Sequence, residues 1–214
     1  MFNPNISFNT FIKVYDNVLT EEFCRDVCQK LDRDPRKKLG VFGPSLKSDP
    51  NFKSSLDLKI SWFPEWKEED GIFFMSISEC LKKYQEDIQT DTSGKFSFAY
   101  EDDTYADTGY LVKVYKPGGH YDWHQDYVID PYYGVRELTF IWYLNDDFDE
   151  GETEFCNGKK ITPKTGRLLI FPSNWMYVHR GCRVKNNNKY IATGWYHHQC
   201  GETKDMLDNI NNNN

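Results

Sequence analysis

The first part of the chain carries two stretches in which apolar residues repeat with the period of an α-helix. The first covers residues 21–34, follows a favoured N-cap at Thr20 and ends before Pro35, which lacks the backbone N–H of an interior helical residue. Its repeating apolar residues are Phe23, Val27 and Leu31. The second runs from Gly71 to Ile88, and its apolar stripe consists of Phe73, Ile77, Cys80, Leu81, Tyr84 and Ile88. Both patterns predict amphipathic helices that bury one face.

From Phe96 onward, the pattern changes to short apolar runs separated by turn residues. The runs GYLVKVY, ELTFIWYL, RLLIFP and YIATGWYHH have the length and the β-branched or aromatic content of strands. FIKVYDNVL near the N-terminus predicts one further short strand. Many short strands with turn signals predict a β-sandwich or barrel. Residues 36–57, rich in Lys, Gly, Pro and Ser, predict a long loop, and such loops are usually mobile or functional.

The 214 residues suit one large domain, because the sequence contains no repeat and no linker that would separate a second one. We predict a single domain over residues 1–205. Residues 1–95 would form a helical support, and residues 96–199 would form the β-rich core. Residues 206–214, which end in NINNNN, predict a disordered tail.

Charge and cysteine content exclude several classes of protein. A net charge of −7 is unsuited to a chain that mainly binds nucleic acid or an anionic membrane. No apolar run approaches the roughly 20 residues of a membrane span, and the N-terminal sequence lacks the features of a signal peptide. The 6 cysteines contain no CxxC pair, so free thiols are expected. We therefore expect a cytoplasmic protein with neither a nucleic-acid nor a membrane partner; the sequence predicts no particular oligomeric state.

The stretch YKPGGHYDWHQDY, residues 115–127, contains a candidate pair of metal ligands. In a strand, His124 and Asp126 would point to the same face and reach one ion together. His179, which follows LLIFPSNWMYV, is the candidate for a third ligand. Two histidines and one carboxylate match the facial triad of non-haem Fe(II) oxygenases. Two alternatives stay open at this point: a surface His–Asp pair in a polar loop, and a zinc site with the same ligands.

The segment KYIATGWYHH has the composition of a strand but begins with a lysine. Alternation places Lys189, Ile191, Thr193 and Trp195 on one face. If that face is interior, Lys189 must meet an anion, because an unpaired buried ammonium is costly. A dicarboxylate co-substrate that also chelates the metal would supply this anion. The alternative is that Lys189 lies in solvent at the end of the strand.

Several motifs, in order along residues 110–197, resemble the prolyl 4-hydroxylase-like Fe(II)/2-oxoglutarate-dependent dioxygenases. YKPGGHYDWHQD matches the family pattern YxxGxxYxxHxD, and HRGCRVKNNNKY places a lysine ten residues after the histidine. RELTFIWYLN, EGETEF and ITPKTGRLLIFP lie between them in the family's order, and VYDNVLTEEFC extends the resemblance more weakly. One departure is Glu150, where the family's GGET motif has a glycine.

The resemblance implies a mainly β fold, a double-stranded β-helix (jelly roll) flanked by N-terminal helices. It implies that Fe(II) is held by His124, Asp126 and His179. It implies a pocket for 2-oxoglutarate whose residues are Lys189, Tyr115, Thr153 and Trp195. Tyr121 and Arg136 match positions that face a peptide substrate, although a packed aromatic and a solvated arginine are alternative interpretations. Residues 127–135 would form one wall of the substrate site, and residues 36–57 would form a lid.

The implied activity is hydroxylation of a C–H bond with O2 as co-substrate and ascorbate as reductant. A proline in a peptide or protein is the first expectation for the substrate. A free amino acid or another small metabolite is the alternative, and a lysyl residue also stays open. A metal-binding jelly roll without catalysis is a hypothesis of a different class. His120, His197 and His198 match no family role and are interpreted as surface or core residues.

Overall fold

The computed structural model describes residues 6–43, 45–96, 105–130 and 133–198. Its helices are α1 (Glu21–Arg33) and α2 (Lys67–Asp91), with 3-10 turns at Phe8–Phe11, Ile60–Trp62 and Pro64–Trp66. Its strands are β1 (Lys13–Tyr15), β2 (Lys38–Leu39), β3 (Leu56–Lys59), β4 (Tyr105–Asp107), β5 (Leu111–Tyr115), β6 (Tyr121–His124), β7 (Ile129–Asp130), β8 (Gly134–Tyr143), β9 (Thr153–Phe155), β10 (Lys160–Ile161), β11 (Arg167–Pro172), β12 (His179–Gly181) and β13 (Lys189–His198).

The described strands form two antiparallel sheets that enclose a pocket. The larger sheet has the order β1-β11-β8-β13-β5-β3-β2, with β4 on β13 and β7 on β8. The smaller sheet has the order β10-β9-β12-β6. The fold is mainly β with supporting helices and has the jelly-roll architecture that the sequence predicts.

Alternation along the strands of the larger sheet separates two apolar cores. On β8, Phe140 and Trp142 pack with the helices, whereas Ile141 and Tyr143 face the smaller sheet. Helix α1 contributes Val27 to the first of these cores. Because side chains alternate across a strand, one face of the sheet binds the helices while the other face is available for the pocket.

Both predicted helices are present, with different ends. The Thr20 side chain accepts a hydrogen bond from the backbone N–H of Phe23 at 3.2 Å, which confirms the predicted N-cap. Helix α2 is longer than the predicted 71–88, because a turn of acidic residues precedes its first apolar position: Glu68, Glu69 and Asp70. Negative charge at a helix N-terminus is favourable, so the polar turn extends the helix without adding to its apolar stripe.

The prediction of a loop over residues 36–57 was wrong in part, because β2 lies within it and β3 begins there. Strand β3 pairs with β5, and its Leu56 and Leu58 pack toward the helices. The alternate residues Ser55 and Asp57 are buried polar groups that face the opposite side. This strand buries polar residues on one face, and an apolar pattern therefore did not indicate it.

Other predictions about chain organisation agree only partly with the structure. Strands β1 to β3 lie within residues 1–95, so the predicted helical support also contributes strands to the larger sheet. Residues 127–135 include β7, which pairs with β8, rather than only loop. The single-domain boundary stays a prediction, and the 206–214 segment lies outside the described residues. Neither α1 nor α2 combines the length and hydropathy needed to span a bilayer.

Candidate active site

The pocket between the two sheets has a volume of about 570 Å³. The larger sheet contributes residues of β5, β8 and β13, and the smaller sheet contributes residues of β6, β9 and β12. Phe42 and Phe52 from the segment before β3 complete one wall. A pocket formed by several elements can bring together side chains that are distant in sequence.

His124, Asp126 and His179 converge in this pocket. One potential ligand atom from each residue lies within 4.8 Å of the other two. The Nε2 atom of His124 is 3.7 Å from Oδ1 of Asp126, and Nε2 of His179 is 3.9 Å from Oδ2. Strand β6 ends at His124, so Asp126 reaches the cluster from the segment after the strand and not through alternation within it. The predicted grouping is present, although the predicted local reason for it was wrong.

Hydrogen bonds orient the two imidazole rings. The Nδ1–H of His124 donates to the carbonyl oxygen of Asp122 at 2.7 Å, and that of His179 donates to the carbonyl oxygen of Tyr177 at 3.1 Å. A ring that donates through Nδ1 keeps the lone pair of Nε2. Both Nε2 atoms therefore face Asp126 as potential metal ligands.

The carboxylate of Asp126 is held by neighbours from the larger sheet. Its Oδ2 atom accepts hydrogen bonds from the Thr139 hydroxyl at 3.0 Å and from the Trp195 indole N–H at 3.2 Å. The Thr139 hydroxyl also lies 2.8 Å from the hydroxyl of Ser173. The predicted pocket residue Trp195 thus contacts the candidate metal ligand directly.

Burial and charge put the cluster in the protonation state that a divalent cation requires. Burial lowers the pKa of His124 to about 3, with His179 as a smaller cause, and burial also lowers the pKa of His179. Burial alone would raise the pKa of Asp126, but the combined effect of nearby basic groups, with His179 and His124 the largest, lowers it below its usual range. Neutral imidazoles and an ionised carboxylate form a donor set that fits Fe(II).

Lys189 lies inside the protein at the other end of the pocket. It is only 3% exposed, so the alternative of a solvated lysine is wrong. Its Nζ atom donates to the carbonyl oxygen of Gly151 at 2.6 Å and lies 5.5 Å from the ring centroid of Tyr115. Burial lowers the pKa of Lys189 to about 8. A buried cation in the same pocket as the three candidate ligands is the arrangement that a chelating dicarboxylate would complete.

Comparisons with known proteins agree with this geometry. Residues 110–197 match the model of the 2OG-Fe(II) oxygenase superfamily. The match covers less than half of the chain and shows that this segment is similar to that superfamily. The superfamily implies Fe(II), 2-oxoglutarate and O2 as the reacting partners of the site.

Among its relatives is prolyl 4-hydroxylase 1 of Arabidopsis thaliana, which is 32% identical over 42% of this chain and 41% of that protein. The chain therefore matches about two fifths of the length of this relative. The fold is similar to the viral collagen prolyl hydroxylase of Paramecium bursaria Chlorella virus-1 (TM-score 0.61, 20% identity, 87% of this chain and 95% of that chain). It is also similar to a Trichoplax adhaerens prolyl hydroxylase in complex with a hypoxia inducible factor peptide fragment (TM-score 0.66, 17% identity, 92% and 87%).

The remaining residues predicted for the co-substrate lie near Lys189 in this pocket. Tyr115 is the register partner of Lys189 in the β5–β13 pair and is buried. Thr153 is also buried, and its hydroxyl lies 2.7 Å from the hydroxyl of Tyr143. Sequence reasoning missed Tyr143, although its alternation with Ile141 on β8 predicts the same face. Glu150, which stands where the family motif has a glycine, adopts a φ of 63°. Glycine adopts this region of φ more readily than other residues do.

The two residues predicted to face a substrate also line this pocket. The ring of Tyr121 stacks on His124, with centroids 3.5 Å apart and an interplanar angle of 18°. The Arg136 guanidinium lies 4.1 Å from the ring centroid of Trp195, and its Nε donates to Nε2 of His197 at 3.3 Å. Arg136 is therefore a half-buried arginine that packs against Trp195 near the start of β8.

Sequence reasoning missed two further charged groups in the pocket. Lys53 and Asp57 form a buried ion pair, with Nζ and Oδ2 2.7 Å apart. Lys113 is 5% exposed in the middle of β5, between Leu111 and Tyr115 on the pocket face. The alternation that identifies Lys189 applies equally to Lys113 and could have found it. His120 lies outside the metal cluster, with its Nε2 3.0 Å from the carbonyl oxygen of Asn51.

Proposed function

We propose that this protein is an Fe(II)- and 2-oxoglutarate-dependent dioxygenase that hydroxylates a proline in a peptide or protein. The observation that carries the proposal is the joint presence of the cluster His124, Asp126 and His179 and of buried Lys189 in one pocket. The cluster alone would also fit a zinc site, but a zinc site gives no reason for a buried lysine beside it.

The three ligand residues have the orientation and charge needed to hold Fe(II). Bound Fe(II) and 2-oxoglutarate supply the oxidising chemistry: one atom of O2 enters a substrate C–H bond and the other enters succinate, with release of CO2. His124 and His179 would donate through Nε2, and the hydrogen bonds of their Nδ1 atoms hold the rings in place. Asp126 supplies the anionic ligand, because its pKa lies below the usual range.

Lys189 would bind the distal carboxylate of 2-oxoglutarate. Its Nζ already has one carbonyl partner, and an ammonium can donate two further hydrogen bonds. Tyr115 lies beside it in register, and Thr153 lies across the pocket on the smaller sheet. Lys189 and the three ligand residues would thus hold the two ends of the co-substrate, and Tyr121 and Arg136 would line the space left for the substrate.

The substrate assignment draws on similarity to prolyl hydroxylases. Relatives of this chain include a prolyl 4-hydroxylase, and one structural neighbour is a prolyl hydroxylase in complex with a peptide fragment. Tyr121 and Arg136 line the part of the pocket where such a peptide would lie. We also propose ascorbate as reductant and the cytoplasm as the compartment. The free thiols of the described cysteines support a reducing environment.

The test measures succinate formed from 2-oxoglutarate with Fe(II) and ascorbate, with and without a proline-rich peptide. We expect the peptide to stimulate turnover and to gain one oxygen atom on proline, as measured by mass spectrometry. A matched peptide with alanine in place of proline is the control. Turnover stimulated by a free amino acid and not by the peptide would replace the proline assignment by the small-substrate alternative. The absence of any 2-oxoglutarate turnover would contradict the dioxygenase proposal.

A further inference from the structure

Three buried lysines line the pocket, and one of them, Lys113, has neither a hydrogen bond nor an ion pair among the residues that the structure describes. Lys189 donates to the carbonyl oxygen of Gly151, and Lys53 pairs with Asp57. Within the part of the chain that the structure describes, Lys113 Nζ makes no hydrogen bond and has no carboxylate oxygen within 4.0 Å. The residue as a whole is nevertheless only 5% exposed, and its side chain lines the pocket. An unpaired buried ammonium costs several kcal/mol, so its position requires an explanation.

The carboxylates closest to Lys113 are already engaged. Asp57 accepts from Lys53 through Oδ2 and from the Ser55 hydroxyl through Oδ1, both at 2.7 Å. Asp126 accepts two hydrogen bonds from the larger sheet and faces the two histidines as a potential metal ligand. Neither group forms a direct ion pair with Lys113, so a carboxylate of a ligand would supply the partner that this ammonium lacks.

The position of Lys113 separates it from the co-substrate end of the pocket. Its register partner on β13 is Ile191, two residues along the strand from the Tyr115–Lys189 pair. Two residues along a strand correspond to about 6.7 Å. The Nζ atom extends toward Trp195 and lies 5.5 Å from its ring centroid. Lys113 therefore faces the side where the metal cluster meets the substrate opening.

A second cation lies on the same side. The Arg136 guanidinium stacks on the indole that Lys113 also approaches. If Fe(II), Asp126, Lys189 and the doubly charged co-substrate are all present, their charges cancel. Lys53 and Asp57 pair with each other, so the other charged residues that line the described pocket are Lys113, Arg136 and Asp130, whose net charge is positive. The substrate region thus has an excess of positive charge.

We propose that Lys113 is a specificity-determining residue that binds a carboxylate of the hydroxylated substrate. The proposal rests on the dioxygenase function proposed above and adds that the substrate carries a carboxylate. The carboxylate has two possible sources: an acidic side chain next to the target residue of a peptide, or the α-carboxylate of a free amino acid. In either case, the ammonium of Lys113 forms a charge-assisted hydrogen bond in a desolvated site.

The test compares two matched pairs of ligands. One pair is a proline-rich peptide with glutamate next to proline and the same peptide with glutamine. The other pair is L-proline and L-prolinamide. Affinities are measured by calorimetry without oxygen, on protein loaded with Fe(II) and 2-oxoglutarate. The proteins are the wild type, Lys113→Met, Lys113→Arg and the control Lys116→Met, which removes an exposed lysine from the turn after β5.

We expect the wild type and Lys116→Met to bind the member of one pair that carries the carboxylate at least about tenfold more tightly than the member that carries the amide. Lys113→Met should remove this preference, and Lys113→Arg should keep part of it. The pair that shows the effect identifies the source of the carboxylate. The KM for 2-oxoglutarate, measured from succinate formation without a substrate, should change little in Lys113→Met.

Three results would overturn the proposal. They are equal or unmeasurable affinities for both members of each pair in the wild type, a preference that persists in Lys113→Met, and a large rise of the KM for 2-oxoglutarate in that variant. The proposed function can be refuted independently of the role of Lys113. If the ligand that carries the carboxylate binds through Lys113 but no oxygen is transferred to it, the binding of the carboxylate by Lys113 stands and proline hydroxylation is refuted. If both members of a pair are hydroxylated with equal KM, the hydroxylation stands and the role of Lys113 is refuted.

Discussion

His124 and His179 are direct register partners in the β6–β12 pair of the smaller sheet, and their ring centroids lie 4.2 Å apart. Backbone pairing therefore fixes the separation of two candidate metal ligands that lie 55 residues apart in sequence. Asp126 alone depends on the segment after β6, and hydrogen bonds from the opposite sheet hold it. The cluster is thus formed only when both sheets are assembled.

Removing the Asp126 carboxylate should abolish iron-dependent hydroxylation. Asp126→Ala leaves two neutral imidazoles, which bind a divalent cation weakly without an anionic ligand. Iron binding measured by calorimetry and product formation measured by mass spectrometry should both be lost. Asp122→Ala is the matched control, because it removes an exposed carboxylate but keeps the backbone carbonyl that orients His124. Full iron-dependent turnover in Asp126→Ala would rule out this ligand assignment.

The hydroxyl of Thr139 should matter for metal affinity although it is not a ligand. Thr139→Val keeps the shape of the side chain but removes the hydrogen bond to Oδ2 of Asp126. Loss of such an orienting bond typically weakens metal binding about 10- to 100-fold. The measurement is the Kd for Fe(II) or Mn(II) without oxygen. Ser173→Ala, which removes the next hydroxyl and keeps the Thr139–Asp126 bond, should have a smaller effect; equal effects would argue against a specific role of Thr139.

Lys189→Met should impair binding of 2-oxoglutarate and leave metal binding intact. A charge-assisted hydrogen bond in a buried site contributes enough that its loss should raise the KM for 2-oxoglutarate about 10- to 100-fold. The metal Kd, measured without co-substrate, should be unchanged because Lys189 lies at the other end of the pocket. Lys185→Met removes an exposed lysine as control. An unchanged KM for 2-oxoglutarate would show that the distal carboxylate binds elsewhere.

Local sequence patterns correctly predicted the features that are determined by neighbouring residues along the chain. Thr20 indicated the start of α1 because capping involves only the first turn of a helix. Alternation along β13 placed Lys189 and Trp195 on the pocket face because strand geometry is local. The ordered motifs around His124 and His179 identified the members of the metal cluster.

Features that depend on contacts between distant segments could not be predicted in this way. The hydrogen bond from Trp195 to Asp126 joins the end of the chain to the segment after β6. Strand β3 was missed because its inner face is polar, and those polar residues are stabilised by the buried pair Lys53–Asp57. A sequence pattern contains the residue types but not the partners that make their burial possible.

A last prediction concerns the stability of the metal-free protein. Burial, with a smaller contribution from the charge of Lys53, lowers the pKa of Lys113 to about 8 from the usual 10.5. Because this pKa is lower in the folded state, the unfolded chain binds the proton more tightly, and the charged lysine destabilises the fold below pH 8. The destabilisation is lost as the pH rises from about 8 toward 10.5, and it is on the order of 3 kcal/mol at pH 7.

Lys113→Met, which keeps the length of the side chain and removes the charge, should therefore raise the free energy of unfolding at pH 7 by about 2 to 3 kcal/mol. The gain over wild type should decrease at about pH 9.5, where the folded wild type has released this proton. Urea unfolding with a metal chelator present, at both pH values, measures the difference. Lys116→Met should show neither effect, because that side chain is exposed. A gain of equal size at both pH values would mean that methionine improves packing, and that the charge of Lys113 is already compensated in the folded protein.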